Sequence, residues 1–260
     1  MMIKARMFYW TYSLLMVFVL LLVGCKQEAS RPNIVYILAD DLGYGDLSCY
    51  GQQKFKTPNI DRLAKQGMLF TQHYAGSTVC SPSRSALLTG QTTGHTPVRG
   101  NIRVEPVGNW PLEAEAYTLA EMLQKSEYVT GAFGKWGLGY LDTEGDPNLQ
   151  GFDEFYGFYS QTLAHHYFPD QLWHNDEKIV LTGNRNGQEE QYAPDLIHRE
   201  ALKFLEDNAE SPFFLYYASA LPHAEMKVPE EELNQYAGQF DPETAYDGVD
   251  YGEERFRMGP

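Results

Sequence analysis

Residues 33–39 read Asn33-Ile34-Val35-Tyr36-Ile37-Leu38-Ala39, a run that is apolar after its first residue and stops at the carboxylate pair Asp40-Asp41. A run of this length between polar residues predicts a β-strand that is buried on both faces. Gly43 and Gly45 follow, in what we expect to be a loop. The chain therefore leads from a buried strand directly into two carboxylates.

Two later segments have the same strand character. Residues 128–133 are followed by Gly134-Lys135, and residues 213–218 are followed by Leu221-Pro222-His223. Helical patterns lie between the strand patterns, at residues 58–66 after the N-cap Thr57, at 81–88, at 118–125 and at 195–208. Strands that alternate with helices predict an α/β fold with a mainly parallel sheet flanked by helices.

Two segments have weaker patterns. Residues 68–70 read Met68-Leu69-Phe70, which suggests another short strand. Residues 142–191 are rich in glycine, aromatic and polar residues, and we expect a long irregular insertion there, close to a functional site.

The composition excludes some classes of function. With 43% hydrophobic and 21% charged residues in a chain of 260, the protein is expected to be globular. Its net charge of −15 repels nucleic acid at long range, so we expect no nucleic-acid partner. An acidic protein that acts on an anion needs local positive charge, often from a metal ion. Simple solubility is the alternative explanation of the charge.

The N-terminus has the features of an export signal. Lys4 and Arg6 precede an uncharged stretch that ends at Leu22-Val23-Gly24-Cys25. This ending resembles a bacterial lipobox, which implies that residues 1–24 are a lipoprotein signal peptide and that Cys25 is lipidated. Residues 25–31 would then be a tether, and the protein an exported lipoprotein on the periplasmic or cell-surface face of a membrane. A transmembrane anchor is the alternative, since the apolar stretch is close to spanning length.

Two cysteines remain after Cys25. In an oxidising compartment Cys49 and Cys80 would form a disulfide, or Cys80 has a chemical role and Cys49 is a small buried side chain. No cysteine or histidine cluster has the spacing of a zinc site.

Several reactive side chains are expected at one edge of the sheet. Asp40-Asp41, Lys135 and His223 all follow strands, and ligands bind at the carboxyl ends of strands in open α/β sheets. Cys80 precedes a helix, whose N-terminus favours an anion. Two carboxylates are the ligands that Ca²⁺ or Mg²⁺ prefers. Taken singly, each of these residues is also typical of a solvated turn, surface or loop.

Cys80-Ser81-Pro82-Ser83-Arg84 resembles the Cys-x-Pro-x-Arg signature of the type I, formylglycine-dependent sulfatases. The flanking residues 76–79 and 86–90 are similar to the family as well, as are residues 33–45, 57–64 and 134–139. This resemblance to the N-terminal portion of arylsulfatase-like proteins implies an alkaline-phosphatase-like fold. It also implies hydrolysis of sulfate esters in a small molecule or a glycan.

The resemblance further implies a role for each matching residue. A maturation enzyme would oxidise Cys80 to formylglycine, which acts as nucleophile. Asp40 and Asp41, together with modified Cys80, would hold Ca²⁺, with Mg²⁺ as the alternative. The same resemblance implies that Arg84 binds and orients the nucleophile and that Lys135 contacts a sulfate oxygen. It also implies that His223 protonates the leaving oxygen. Ser160 would contact the sulfate.

Two departures from the family pattern are visible. Gly137 stands where many relatives have a histidine that acts as base, and His95, His165 and His166 are candidates to replace it or to contact substrate. A second pair of metal ligands and a later lysine have no counterpart. We therefore expect residues 32–260 to be an incomplete, N-terminal part of a catalytic domain. The alternatives are a phosphonate or phosphate monoester hydrolase of the same fold, and an inactive lipoprotein that binds sulfated glycans.

Overall fold

The structure is a computed structural model that describes residues 31–104, 108–223 and 225–242. The predicted signal peptide at residues 1–24, the predicted lipidation at Cys25 and most of the predicted tether lie outside the described residues. The chain divides into two units after Pro32, and the fold below is that of the unit that begins at Asn33. None of the helices in the described ranges has the length and apolar character that a bilayer-spanning helix needs.

Eight strands form two sheets in the part of the chain that the structure describes. They are β1 (Ile34–Asp40), β2 (Arg103–Val104), β3 (Gly108–Asn109), β4 (Val129–Lys135), β5 (Glu154–Phe158), β6 (Gln171–His174), β7 (Glu177–Val180) and β8 (Phe213–Pro222). The main sheet has six strands in the order β1-β8-β4-β5-β6-β7, and β2 pairs with β3. Strands β1, β8, β4 and β5 are parallel, whereas β6 is antiparallel to both of its neighbours, β5 and β7. The mainly parallel sheet predicted from the sequence is confirmed.

Five α-helices accompany the sheet within the described ranges. They are α1 (Pro58–Gln66), α2 (Cys80–Thr89), α3 (Leu119–Lys125), α4 (Ala193–Asp207) and α5 (Glu230–Asn234). The first four confirm the helical patterns of the sequence to within a few residues. At α3 the expected cap is present, since the Thr118 hydroxyl accepts from Glu121 N and the Glu121 carboxylate accepts from Thr118 N. Short 3₁₀ turns complete the fold at Tyr44–Asp46, Ser48–Tyr50, Leu163–His165 and Thr182–Gly187.

The core lies on both faces of the sheet. Along β8, Phe214 and Tyr216 point into a cluster with α2 and α3, whereas Phe213 and Leu215 point into a cluster with α4. This alternation is the normal consequence of the two-residue period of a strand. The layers fix the positions of β4 and β8, whose carboxyl ends carry the candidate site.

Strand β1 is less buried than its sequence predicts. Within the described residues it stands at the edge of the sheet and pairs only with β8. Val35 and Ile37 on one of its faces are 49% and 62% exposed. The expectation of burial on both faces is therefore wrong for the part of the chain that the structure describes.

Two further expectations need correction. Residues 68–70 form no strand and are exposed. The segment 142–191 is not simply irregular, because it contains β5 of the main sheet and the β6–β7 hairpin. These short strands are specified by pairing with β4 and with each other, which leaves little trace in the local sequence.

Candidate active site

The carboxyl edge of the sheet brings the predicted residues together. Asp40 ends β1, Lys135 ends β4, and His223 follows β8, which lies between them. Cys80 is the first residue of α2. Because neighbouring parallel strands end at the same edge, residues that are far apart in sequence meet there.

Asp40 is the centre of a buried charge cluster. Its carboxylate lies 2.5 Å from Lys135 Nζ and 3.2 Å from Arg84 Nη2, and all three residues are 5% exposed or less. Arg84 also donates through Nη1 to the carbonyl oxygen of Lys135. Burial acts to raise the pKa of Asp40, but the charges of Arg84 and Lys135 outweigh it and hold the pKa below its usual value. The carboxylate is therefore ionised and fixes both cations.

Cys80 lies against this cluster. Its Sγ atom is 3.7 Å from Lys135 Nζ, and one ring nitrogen of His223 lies within 4.8 Å of it. Burial acts to raise the pKa of the Cys80 thiol, but the neighbouring imidazole of His223 and the charges of Lys135 and Arg84 shift the pKa downward overall. An anion at position 80 is thus favoured both by the neighbouring cations and by the helix N-terminus.

Two histidines form a stacked pair beside Cys80. The rings of His165 and His223 are 4.4 Å apart and inclined by 20°. His223 Nε2 lies 3.2 Å from the carboxylate of Asp41, a residue with a positive φ of 62° that is half exposed. Burial, followed by the charges of Lys135 and His223, lowers the pKa of His165 to about 4. His165 is therefore neutral at physiological pH, and Asp41 orients His223.

The donors present fit a divalent metal ion in part. One ligand atom each of Asp40, Cys80 and His223 lies within 4.8 Å of the other two. The predicted ligands Asp40 and Cys80 belong to this group, whereas the Asp41 carboxylate faces His223. Two carboxylates supply fewer oxygens than the 6–8 that Ca²⁺ normally takes. The group is a metal-binding candidate without a complete oxygen shell among the described residues.

The remaining predicted contact residues have other partners. Ser160 is buried, and its hydroxyl accepts a hydrogen bond from Thr162 N. His95 is exposed and bonds with the Thr92 hydroxyl at 3.0 Å, and His166 is 3.8 Å from Glu225. Their roles toward substrate stay predictions, because none of these contacts reaches the Cys80 cluster.

A polar network around Ser81 was not predicted. Ser81 N donates to Asn101 Oδ1, and the Ser81 hydroxyl donates to the Gly137 carbonyl at 2.7 Å. The Gln161 side chain in turn donates to the Ser81 hydroxyl, and Gln161 N donates to Asn109 Oδ1. Asn101 and Gln161 lie in loops and Asn109 in the two-residue strand β3, none of which has a periodic pattern, so the sequence carries no signal that links these amides to Cys80.

The structure also distinguishes between the two roles expected for Cys49 and Cys80. Cys49 and Cys80 are both free thiols, so the suggested disulfide between them is wrong. Cys80 is therefore available for chemistry.

Comparison with known proteins identifies the family. The sequence profile of the family described as Sulfatase matches residues 32–250, and the chain belongs to this family. Arylsulfatase G of Rattus norvegicus is 34% identical in an alignment of 238 positions that covers 79% of this chain and 44% of that protein. N-acetylgalactosamine-6-O-sulfatase of Bacteroides thetaiotaomicron is 43% identical in an alignment of 145 positions that covers 50% of this chain and 27% of that protein. The chain thus spans less than half the length of these relatives.

Solved structures show the same fold. Ps i-CgsB in complex with k-i-k-neocarrahexaose superposes with a TM-score of 0.70 at 31% identity, over 88% of this chain and 52% of that one. BT4656 in complex with its substrate, D-glucosamine-2-N,6-O-disulfate, gives a TM-score of 0.68 at 29% identity. The match covers 83% of this chain and 40% of that one. The alkaline-phosphatase-like fold of the sulfatases is confirmed. The family generally uses a metal ion and formylglycine.

Proposed function

We propose that this protein hydrolyses sulfate esters with residue 80 as nucleophile. The observation that carries the proposal is the position of Cys80 Sγ, 3.7 Å from the Lys135 ammonium in a cluster with Arg84 and His223. A buried site with two cations and a helix N-terminus suits a tetrahedral oxyanion. Because the chain belongs to the Sulfatase family, the oxyanion proposed for this site is the sulfate group of an ester.

Each side chain of the site has its own proposed role in the reaction. Formylglycine made from Cys80 would supply, as its hydrate, the hydroxyl that attacks sulfur. Lys135 and Arg84 bind the sulfate oxygens and stabilise the charge that develops on them, and Asp40 holds both cations in place. His223 lies next to residue 80 and donates a proton to the leaving alcohol oxygen as the ester S–O bond breaks. Asp41 orients the imidazole through Nε2.

Asp40 and Asp41 are the proposed protein ligands of a divalent metal ion, together with modified residue 80. Their hard oxygen atoms favour Ca²⁺, with Mg²⁺ as the alternative. Bound there, the ion would draw in the sulfate oxygens and stabilise their charge.

The proposed substrate is a sulfated glycan. This proposal is supported by the carbohydrates named in the complexes of the two structural relatives. Sulfated glycans are also a natural substrate for an exported, surface-anchored enzyme, as residues 1–25 suggest. A maturation enzyme that oxidises Cys80 is the implied protein partner.

The deciding measurement is the mass of the proteolytic peptide that contains Cys80, taken from protein exported by its native host. A mass that matches the aldehyde supports the proposed nucleophile. Cys49, in the same digest, controls for non-specific oxidation. A free thiol at position 80 would contradict the catalytic role and favour an unmodified glycan-binding protein. On matured protein, turnover of an aryl phosphonate in preference to an aryl sulfate would favour the phosphonate hydrolase instead.

A further inference from the structure

The side chain of Gln161 occupies a defined position beside the nucleophile. Its Nε2 atom lies 3.1 Å from the Ser81 hydroxyl, and Ser81 is the residue directly after Cys80. Gln161 is 5% exposed, and its backbone N–H is held by Asn109 Oδ1 at 2.8 Å. The residue therefore connects the loop after β5 with the first turn of α2.

The orientation of this amide follows from its neighbours. The Ser81 hydroxyl gives its only proton to the Gly137 carbonyl, so toward Gln161 it acts as an acceptor. Nε2 must then face Ser81, and Oε1 points elsewhere. Oε1 is buried and has no hydrogen-bond partner among the described residues. An apolar side chain would fill the space without leaving a buried acceptor unpaired, so the polar amide needs a reason beyond packing.

Gly137 leaves the space that Gln161 fills. A Cβ atom at position 137 would lie 1.8 Å from Gln161 Nε2 and 2.6 Å from its Cδ. The φ of +76° at Gly137 also favours glycine. A side chain at position 137 and the glutamine at 161 are thus mutually exclusive in this geometry.

We propose that Gln161 is a positioning residue for residue 80. Its amide, Ser81 and the Gly137 carbonyl form a clamp that fixes the start of α2 against the loops after β4 and β5. The clamp holds residue 80 within reach of Lys135 and His223. The inference rests on the proposed function insofar as it concerns catalysis, and on geometry alone insofar as it concerns the position of residue 80.

The test compares three variants of the 260-residue chain with unmodified Cys80: Gln161→Met, Gln161→Glu and Ser81→Ala. Methionine keeps the length of the side chain but removes the N–H donor. Glutamate places a carboxylate oxygen, which is an acceptor, against the Ser81 hydroxyl oxygen, which also acts as an acceptor here. Ser81→Ala removes the partner and keeps the Cys-x-Pro-x-Arg pattern. The measurement is the rate of alkylation of Cys80 relative to Cys49, by peptide mass spectrometry at one pH.

We expect the Cys80 rate to fall severalfold relative to Cys49 in each variant, because the thiol moves away from the Lys135 ammonium. The Gln161→Met/Ser81→Ala double variant should be no slower than the slower single variant, since both break one clamp. In matured protein, kcat should fall about tenfold with little change in KM, as is usual for the loss of a supporting hydrogen bond.

Gln150→Met is the matched control. Gln150 is equally buried, also has an unpartnered Oε1, and bonds through Nε2 to the carbonyl oxygens of Glu113 and Glu144. It should lower the melting temperature without changing the alkylation ratio. Unchanged ratios in the Gln161→Met and Gln161→Glu variants would overturn the proposal. The alkylation ratio decides the role of Gln161 whether or not the matured parent hydrolyses a sulfate ester, so a failure of this proposal is distinguishable from a failure of the proposed function.

Discussion

At the residue scale, the electrostatics of the site depend on Asp40. Its carboxylate is shared between Arg84 and Lys135, and all three side chains are buried. A buried ion pair contributes little net stability, but removing one partner leaves a charge without compensation. The cations that we propose to bind the anionic substrate are therefore also important for the stability of the fold.

Lys135→Met should destabilise the protein by about 3 kcal/mol and abolish sulfate-ester hydrolysis. Methionine keeps the apolar stem and removes the ammonium, so Asp40 retains only Arg84 and its pKa rises. Urea denaturation measures the stability. Lys203→Met is the control, because Lys203 is exposed and forms a 3.8 Å ion pair with exposed Asp207. Equal effects of the two substitutions would contradict this account of the cluster.

His165 should make the stability depend on pH. Its ordinary pKa is 6.5 and the folded protein lowers it to about 4, so between these values the unfolded state binds the proton more readily. Stability contributed by neutral His165 is complete above pH 6.5 and is lost as the pH falls toward 4.

His165→Phe keeps a ring against His223 and removes the titration. The urea midpoint of this variant should fall less than that of the parent between pH 7 and pH 4.5. The same substitution at exposed His95 should leave the parent profile as it is. A parent-like pH profile in the His165→Phe variant would show that the acid sensitivity arises elsewhere.

At the scale of the elements, glycines let three strands approach one another next to Lys135. A Cβ atom at Gly134 would lie 2.0 Å from the Ala218 carbonyl of β8. A Cβ atom at Gly157 of β5 would lie 2.0 Å from the Gly134 carbonyl. Backbone atoms in a paired sheet cannot move aside, so the close approach of β8, β4 and β5 requires glycine.

Gly134→Ala should cost more than about 3 kcal/mol, because strain and a backbone clash combine. Gly187→Ala is the matched control, since Gly187 also has a positive φ, of +78°, but its Cβ position has no heavy atom within 4 Å from the described residues outside its own turn. The control should cost about 1–2 kcal/mol for the left-handed conformation alone. Thermal and urea unfolding of both variants check the difference, and similar losses would argue against the clash.

At the scale of the whole molecule, the described fold has an exposed apolar edge. Val35 and Ile37 of β1 are 49% and 62% exposed, and β1 is an edge strand among the described residues. Exposed edge strands with apolar side chains pair with other chains.

The chain should therefore self-associate, and Ile37→Lys should reduce this association. Lysine on an edge strand blocks pairing through its charge and hydration. Sedimentation velocity over a range of concentrations measures the effect. Gln53→Lys, on an exposed loop, adds the same charge elsewhere and should change little. If both lysines act alike, net charge and not the β1 edge governs association.

The sequence by itself determined the types of the main elements and most of the site. Apolar runs, the Thr118 cap and Pro58 in the first turn of its helix are local signals, and they placed β1, β4, β8 and four helices. Asp40, Lys135 and His223 could be brought together because parallel strands end at a common edge. The Cys-x-Pro-x-Arg pattern added Cys80 and Arg84.

Only the tertiary structure decided how these residues pair. In the folded chain the carboxylate of Asp41 faces His223, and His165 stacks on His223. Asp40 forms ion pairs with both Arg84 and Lys135. The tertiary structure also placed Gln161 in the space beside Gly137. These contacts join loops that have no periodic pattern, and their geometry depends on packing between distant segments. Local sequence records the preferences of a segment, whereas pairing energies of this kind exist only once the segments have met.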